Sequence, residues 1–181
     1  MEAILTRRNS IAGKLDGKKL QFWSPTVFEQ VEMTKPRDAL EEAGAETKIV
    51  SLKPGQIQGM HHADKGDKFD VDLAVADARP EEFDALMIPG GLLNPDALRS
   101  NLRAISSAKA NRWPQVLISA DLVRGRKITS WPAIQADMRN AGARWVDEEV
   151  VVDNGLVTSR KPDDIPAFNK KMIEEFCEGP E

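Results

Sequence analysis

"FEQVEMTKPRDALEEAGAETKIVSL", residues 28–52, changes its hydrophobic period once, and that change decides the fold. Val31, Ala39, Leu40 and Ala43 can share one helical face, and Gly44 supplies the residue that ends a helix. From Thr47 to Leu52 the apolar residues lose that spacing and read as a strand buried on both faces of a parallel sheet. A strand region, a helix and a second strand make a βαβ unit. Pro36 lies inside the helical pattern and predicts a kink or a later helix start, because it lacks an N–H and crowds the carbonyl four residues back.

Outward from this unit the alternation continues. "DALMIPGG" (84–91) is a second short aliphatic run ended by Pro and Gly, and "KFDVDLAV" (68–75) alternates like a half-exposed strand or hairpin arm. After residue 94 come a helical region, "PQVLISADLV" (114–123), a short strand in "RKITSW" (126–131) and a helix in "AIQADMRNAG" (133–142). Asp153-Asn154-Gly155 between β-rich arms signals a hairpin. Ile165, Phe168, Met172, Ile173 and Phe176 form one stripe, which predicts a packed terminal helix. The expected architecture is an α/β three-layer sandwich with a mostly parallel sheet and a small antiparallel appendage.

Composition narrows the function classes. The 181 residues are 41% hydrophobic and 30% charged, ordinary for one soluble domain, expected over 18–181 after an extension at 1–17. A formal charge of −4, with both signs interspersed, gives no broad attraction to phosphate backbones or anionic lipid, so neither nucleic acid nor membrane is an expected partner. One cysteine, Cys177, excludes an internal disulfide framework. "MEAILTRRNSIAGKLDGKK" has no apolar core of signal-peptide length, so a cytoplasmic location is expected.

Several of these stretches together resemble the ThiJ/PfpI superfamily, close to its intracellular protease I and general-stress-protein branch. They are "FEQVEMTKPRDALEEAGAETKIVSLKPG", "FDALMIPGG" and "LVRGRKITSWPAIQADMRNAGARWVDEEVVVDNGLVTSRKPDDIPAF", within a match from about residue 18 to 176. The resemblance implies a flavodoxin-like sandwich, a homodimer, no cofactor, and a cysteine on a strand-to-helix elbow. A thiol there is acidified by the helix dipole and nearby donors, and an adjacent carboxyl shuttles its proton. By resemblance the carboxyl falls on Glu29 in "FEQVE", and the oxyanion site on Gly90 and Gly91 in "IPGG". The elbow's Cys-His positions fall on Asn111 and Arg112, and neither residue supplies a thiol or an imidazole.

A second departure lies at residues 20–27. Where the family has a strand resembling "KKVAILVTDGFEQVE", this chain has "KKLQFWSPTVFEQVE", with Gln21, Ser24 and Pro25 in a buried-strand position. Written as AAG TTG CAA TTC TGG TCA CCG ACG GTT and read from the final G of the lysine codon, residues 19–27 yield Val-Ala-Ile-Leu-Val-Thr-Asp-Gly. The same shift through "SSAKANRWP" (106–114) permits Lys-Gly-Lys-Pro-Val-Ala, the family's approach to its elbow. Both segments are therefore expected to carry compensating frame changes, with a normal strand and a Cys-His elbow in the molecule itself.

The functional expectation is a cysteine-dependent enzyme of reactive carbonyls or glycated amines, of glyoxalase III or deglycase type, or an intracellular peptidase. A chaperone-like stress protein and a catalytically dead relative are the alternatives. Glu29 also has a plain reading, a carboxylate favoured by the helix dipole. His61 and His62, with Asp64, Asp67 and Asp70, read as a solvated polar loop rather than a metal site, with a substrate-gating role open by resemblance.

Overall fold

In the computed structural model, which describes residues 12–24, 27–90 and 121–178, the strand that reads worst in the sequence sits at the centre. β1 (Lys19–Trp23) pairs in parallel with β3 (Glu46–Ser51) on one side and with β7 (Ala85–Met87) on the other. β6 (Leu73–Ala74) extends the sheet beyond β3, giving the order β6-β3-β1-β7. The fold is mixed α/β with a mostly parallel central sheet, and smaller sheets surround it.

α1 (Gln30–Glu42) follows β2 (Val27–Glu29), so the βαβ reading holds. The helix neither starts late nor stops at Pro36, which is buried inside it. Its buried face uses Met33, Pro36 and Leu40, while Val31 and Ala39 are half-buried. Gly44 ends the helix with φ +100°, the left-handed conformation that glycine adopts without a Cβ penalty.

β4 (Gln56–His61) and β5 (Asp64–Asp70) form the hairpin arm read from the alternating stretch, and β2 pairs in parallel with β4. β8 (Lys127–Ile128) and β9 (Arg144–Trp145) flank α2 (Gln135–Asn140). β10 (Val150–Asp153) and β11 (Leu156–Ser159) pair antiparallel around Asn154 and Gly155, whose φ angles of +48° and +77° suit a tight hairpin. α3 (Ile165–Glu178) buries Ile165, Met172 and Ile173, with Phe168 and Phe176 packed against the core, as its stripe predicts.

Leu20, Phe22, Trp23, Ile49, Val50 and Leu86 form the centre of the core, closed by Met33 and Leu40 from α1 and Met172 from α3. Leu15, from the segment before β1, is also fully buried, and its N–H donates to the Ala43 carbonyl at 2.8 Å. Gln21 in β1 and Ser24 just after it are buried polar side chains among these residues. The Gln21 Oε1 accepts from the Trp23 indole N–H at 2.8 Å, but the Gln21 Nε2 and the Ser24 Oγ have no partner among the described residues. Each such orphan costs about 1–3 kcal/mol relative to a satisfied or apolar atom.

Candidate active site

Glu29 is the last residue of β2 and the N-cap of α1, so the pairing of β2 with β4 fixes where its carboxyl stands. Its Oε2 accepts from the His62 N–H at 3.2 Å, and its own N–H points to the Gly90 carbonyl at 3.5 Å. His62 heads the turn between β4 and β5 with φ +57°, an unusual conformation for a residue with a side chain. That strained turn aims the His62 amide at Glu29.

The hairpin is held in place by Gln30, which is almost fully buried. Its Nε2 donates to Asp67 Oδ2 at 2.6 Å, while its Oε1 accepts from the Asp67 N–H at 2.7 Å. Gly59 and Gly66 make room for this clamp, since a Cβ on either would stand 2.6 Å or 2.0 Å from Gln30 Oε1. Gln58 Nε2 adds bonds to the Gly59, Gly66 and Asp67 carbonyls at 2.8, 2.8 and 3.1 Å. Sequence reading singled out neither Gln30 nor the two glycines.

Glu32 is the second carboxyl of "FEQVE". Burial pushes its pKa up, the Gly90 N–H donating to it pulls it down, and the negative charge of Glu29 pushes it up again. A Cβ on Gly90 would stand 2.0 Å from Glu32 Oε2, so a side chain there would have to displace the end of that carboxyl.

The other candidates fall elsewhere. Gly91, Asn111 and Arg112 lie outside the described residues, as do Trp113 and most of the elements expected between 94 and 120. His61, His62, Asp64, Asp67 and Asp70 are exposed along the hairpin, and among the described residues no three His, Cys, Asp or Glu side chains are grouped to hold a metal. Cys177 is exposed near the end of α3, its Sγ 3.6 Å from the Lys14 carbonyl. No helix among the described residues is long and apolar enough to cross a membrane.

The chain is an α/β protein with a mostly parallel central sheet, and the carboxylate at the start of its first helix is held by the His62 amide. The model of the DJ-1/PfpI family matches residues 18–175, and the chain belongs to that family. A deglycase of Pyrococcus horikoshii is 42% identical over 167 residues, covering 86% of this chain and 98% of that protein. An uncharacterized protein of Staphylococcus haemolyticus is 38% identical over 173 residues, covering 88% and 98%. Among solved structures, a two-domain protein of Anabaena variabilis with DJ-1/ThiJ/PfpI-like and ferritin-like domains superposes with TM-score 0.80 at 32% identity. The match covers 87% of this chain and 47% of that one. DJ-1 of Schizosaccharomyces pombe superposes with TM-score 0.75 at 16% identity, covering 87% and 90%, and shares the flavodoxin-like fold.

Proposed function

We propose that this site is built for small reactive carbonyls or glycated amines, the chemistry of a deglycase, with Glu29 as the carboxyl that moves the proton. The observation that carries the reading is Glu29 at the start of α1, oriented by the His62 amide and adjacent to Gly90. The 42% identity to a deglycase supports the substrate class. In such a site a thiol adds to the aldehyde carbon, its proton passes to the carboxylate, and the carboxyl returns that proton to the carbonyl oxygen. The product of this step is a neutral hemithioacetal.

Asn111 and Arg112 supply no thiol and no imidazole, so the encoded chain retains the acid half of the site and is silent as a catalyst. Methylglyoxal consumption by this chain is expected at the buffer rate. Insertion of Ala-Ile-Cys-His-Gly before Pro114 is expected to raise it well above that rate. Turnover by the encoded chain, or none by a folded chain carrying the elbow, overturns the reading.

The same reading includes a stress-related, cytoplasmic role and a symmetric homodimer, the commonest closed assembly. Its contact is proposed at the helix from Glu29 to Ala43 or the loop from Gly59 to Phe69. Light scattering at micromolar concentration is expected to give twice the chain mass. A monomer there removes the dimer.

A further inference from the structure

We propose that Gln30 is a positioning residue for Glu29: its side-chain amide latches an irregular point of the β4–β5 hairpin to the start of α1, and that latch holds the His62 N–H on the Glu29 carboxylate. The irregularity lies in the ladder. Gln58 pairs with Lys68 and Met60 pairs with Lys65, so Gly59 stands opposite two residues, Gly66 and Asp67. Two residues facing one make a β-bulge, which bends the strand and frees backbone groups from the ladder.

Two glutamines meet the freed groups. Gln30 Oε1 accepts from the Asp67 N–H at 2.7 Å, and Gln58 Nε2 donates to the Gly66 and Asp67 carbonyls at 2.8 and 3.1 Å. Gln30 Nε2 also donates to Asp67 Oδ2 at 2.6 Å, so one buried amide grips both the main chain and the side chain of a single residue. That grip needs an acceptor and a donor on one group. Glutamate lacks the donor, and alanine lacks both. Gln58 works within the hairpin, whereas Gln30 ties the hairpin to α1.

The latch reaches the site through the chain itself. Gln30 follows Glu29 directly, and His62, at the end of the same hairpin, donates its N–H to Glu29 Oε2 at 3.2 Å. Closing the bulge would slide one strand past the other by one residue, about 3.3 Å, which carries that N–H out of hydrogen-bond range. β5 is the edge of its sheet and mostly exposed, so no further strand among the described residues resists the slide. Gln30 therefore acts on Glu29 through the hairpin, without touching substrate. The proposal deepens the reading of Glu29 as the proton carrier and rests on it for the chemistry, but its first test needs no turnover.

In ¹H–¹⁵N NMR spectra of the encoded chain, the His62 amide resonance is expected to follow ionisation of the Glu29 carboxylate and to stay flat in Glu29→Gln. Gln30→Ala is expected to cut that response at least threefold and to speed hydrogen exchange at the Asp67 amide about tenfold. Gln30→Glu sets two carboxylates against each other and is expected to cut the His62 response as far. Asp67→Asn added to Gln30→Glu exchanges donor and acceptor across the latch, and is expected to restore both the response and the parent Tm. A His62 resonance that ignores Glu29 in the parent, or a response undiminished in folded Gln30→Ala or Gln30→Glu, overturns the proposal. So does a swapped pair that leaves the response lost or the chain unfolded. In the chain carrying the inserted elbow, Gln30→Glu is expected to lower kcat about tenfold with KM nearly unchanged, and the swap to restore it. An unchanged kcat beside a lost His62 response removes the positioning role. Absence of turnover in the elbow-carrying parent removes the carbonyl reading and leaves the latch readouts standing.

Discussion

Glu29→Gln, made in the chain that carries the inserted elbow, is expected to lower methylglyoxal turnover by about 10² or more, the range for loss of an acid–base group. Gln is the informative replacement because it separates chemistry from architecture. Its side-chain oxygen can still accept from the His62 N–H, and its backbone N–H can still face the Gly90 carbonyl. The turn, the hairpin and the start of α1 therefore keep their places, and only the ability to take and return a proton is lost. The loss is expected in kcat, with KM nearly unchanged. An uncharged carbonyl substrate gains little from a carboxylate until a proton must move. Turnover that survives the substitution shows Glu29 to be a helix-start residue favoured by the dipole alone.

Much of the fold was legible because its signals were local. Asn154-Gly155 demands positive φ at both positions, and the hairpin forms around that pair. The apolar stripe of α3 admits one buried face. Pro36 does not delay the start of α1: it is buried inside the helix, where burial of its ring offsets the lost backbone bond.

At the candidate site, the resemblance singles out Glu29 and leaves Gln30 and Glu32 unmarked. Their partners lie far along the chain: Asp67 is 37 positions from Gln30, and Gly90 is reached only after three further strands of the central sheet have formed.

Replacing residues 20–27 with Val-Ala-Ile-Leu-Val-Thr-Asp-Gly is expected to raise the stability of the encoded chain by about 2 kcal/mol, or about 4–8 °C in Tm. The physical case lies in β1. Leu20, Phe22 and Trp23 are apolar enough to take the central position, and the backbone pairs with β3 and β7 whatever the side chains are. The burden falls on Gln21 and Ser24, both fully enclosed, whose Nε2 and Oγ find no partner among the described residues. In the shifted reading these become Gln21→Ala and Ser24→Val, which remove both orphans, and Trp23→Leu removes the indole that depends on Gln21. Ser24→Ala alone is expected to contribute about 1 kcal/mol of the gain in urea denaturation.

The opposing effect is loss of bulk. Where the neighbours close on the smaller side chains the loss is slight, whereas in a core shaped around the rings Trp23→Leu and Phe22→Ile approach about 3–5 kcal/mol, the cost of a full truncation of a large ring to Ala, and reverse the gain. The sign of the change therefore reads the history of the core. A rise in Tm means that Ile49, Val50, Leu86 and Met33 fit the smaller strand, and that Gln21 and Trp23 entered by a shift of frame. A fall means that the core has grown around Trp23 and that this strand is its own. The mass of the protein from its natural source decides the companion segment at 106–114: an intact elbow adds several hundred daltons and a second cysteine beside Cys177, whereas agreement with the 181-residue chain removes the frame expectation there.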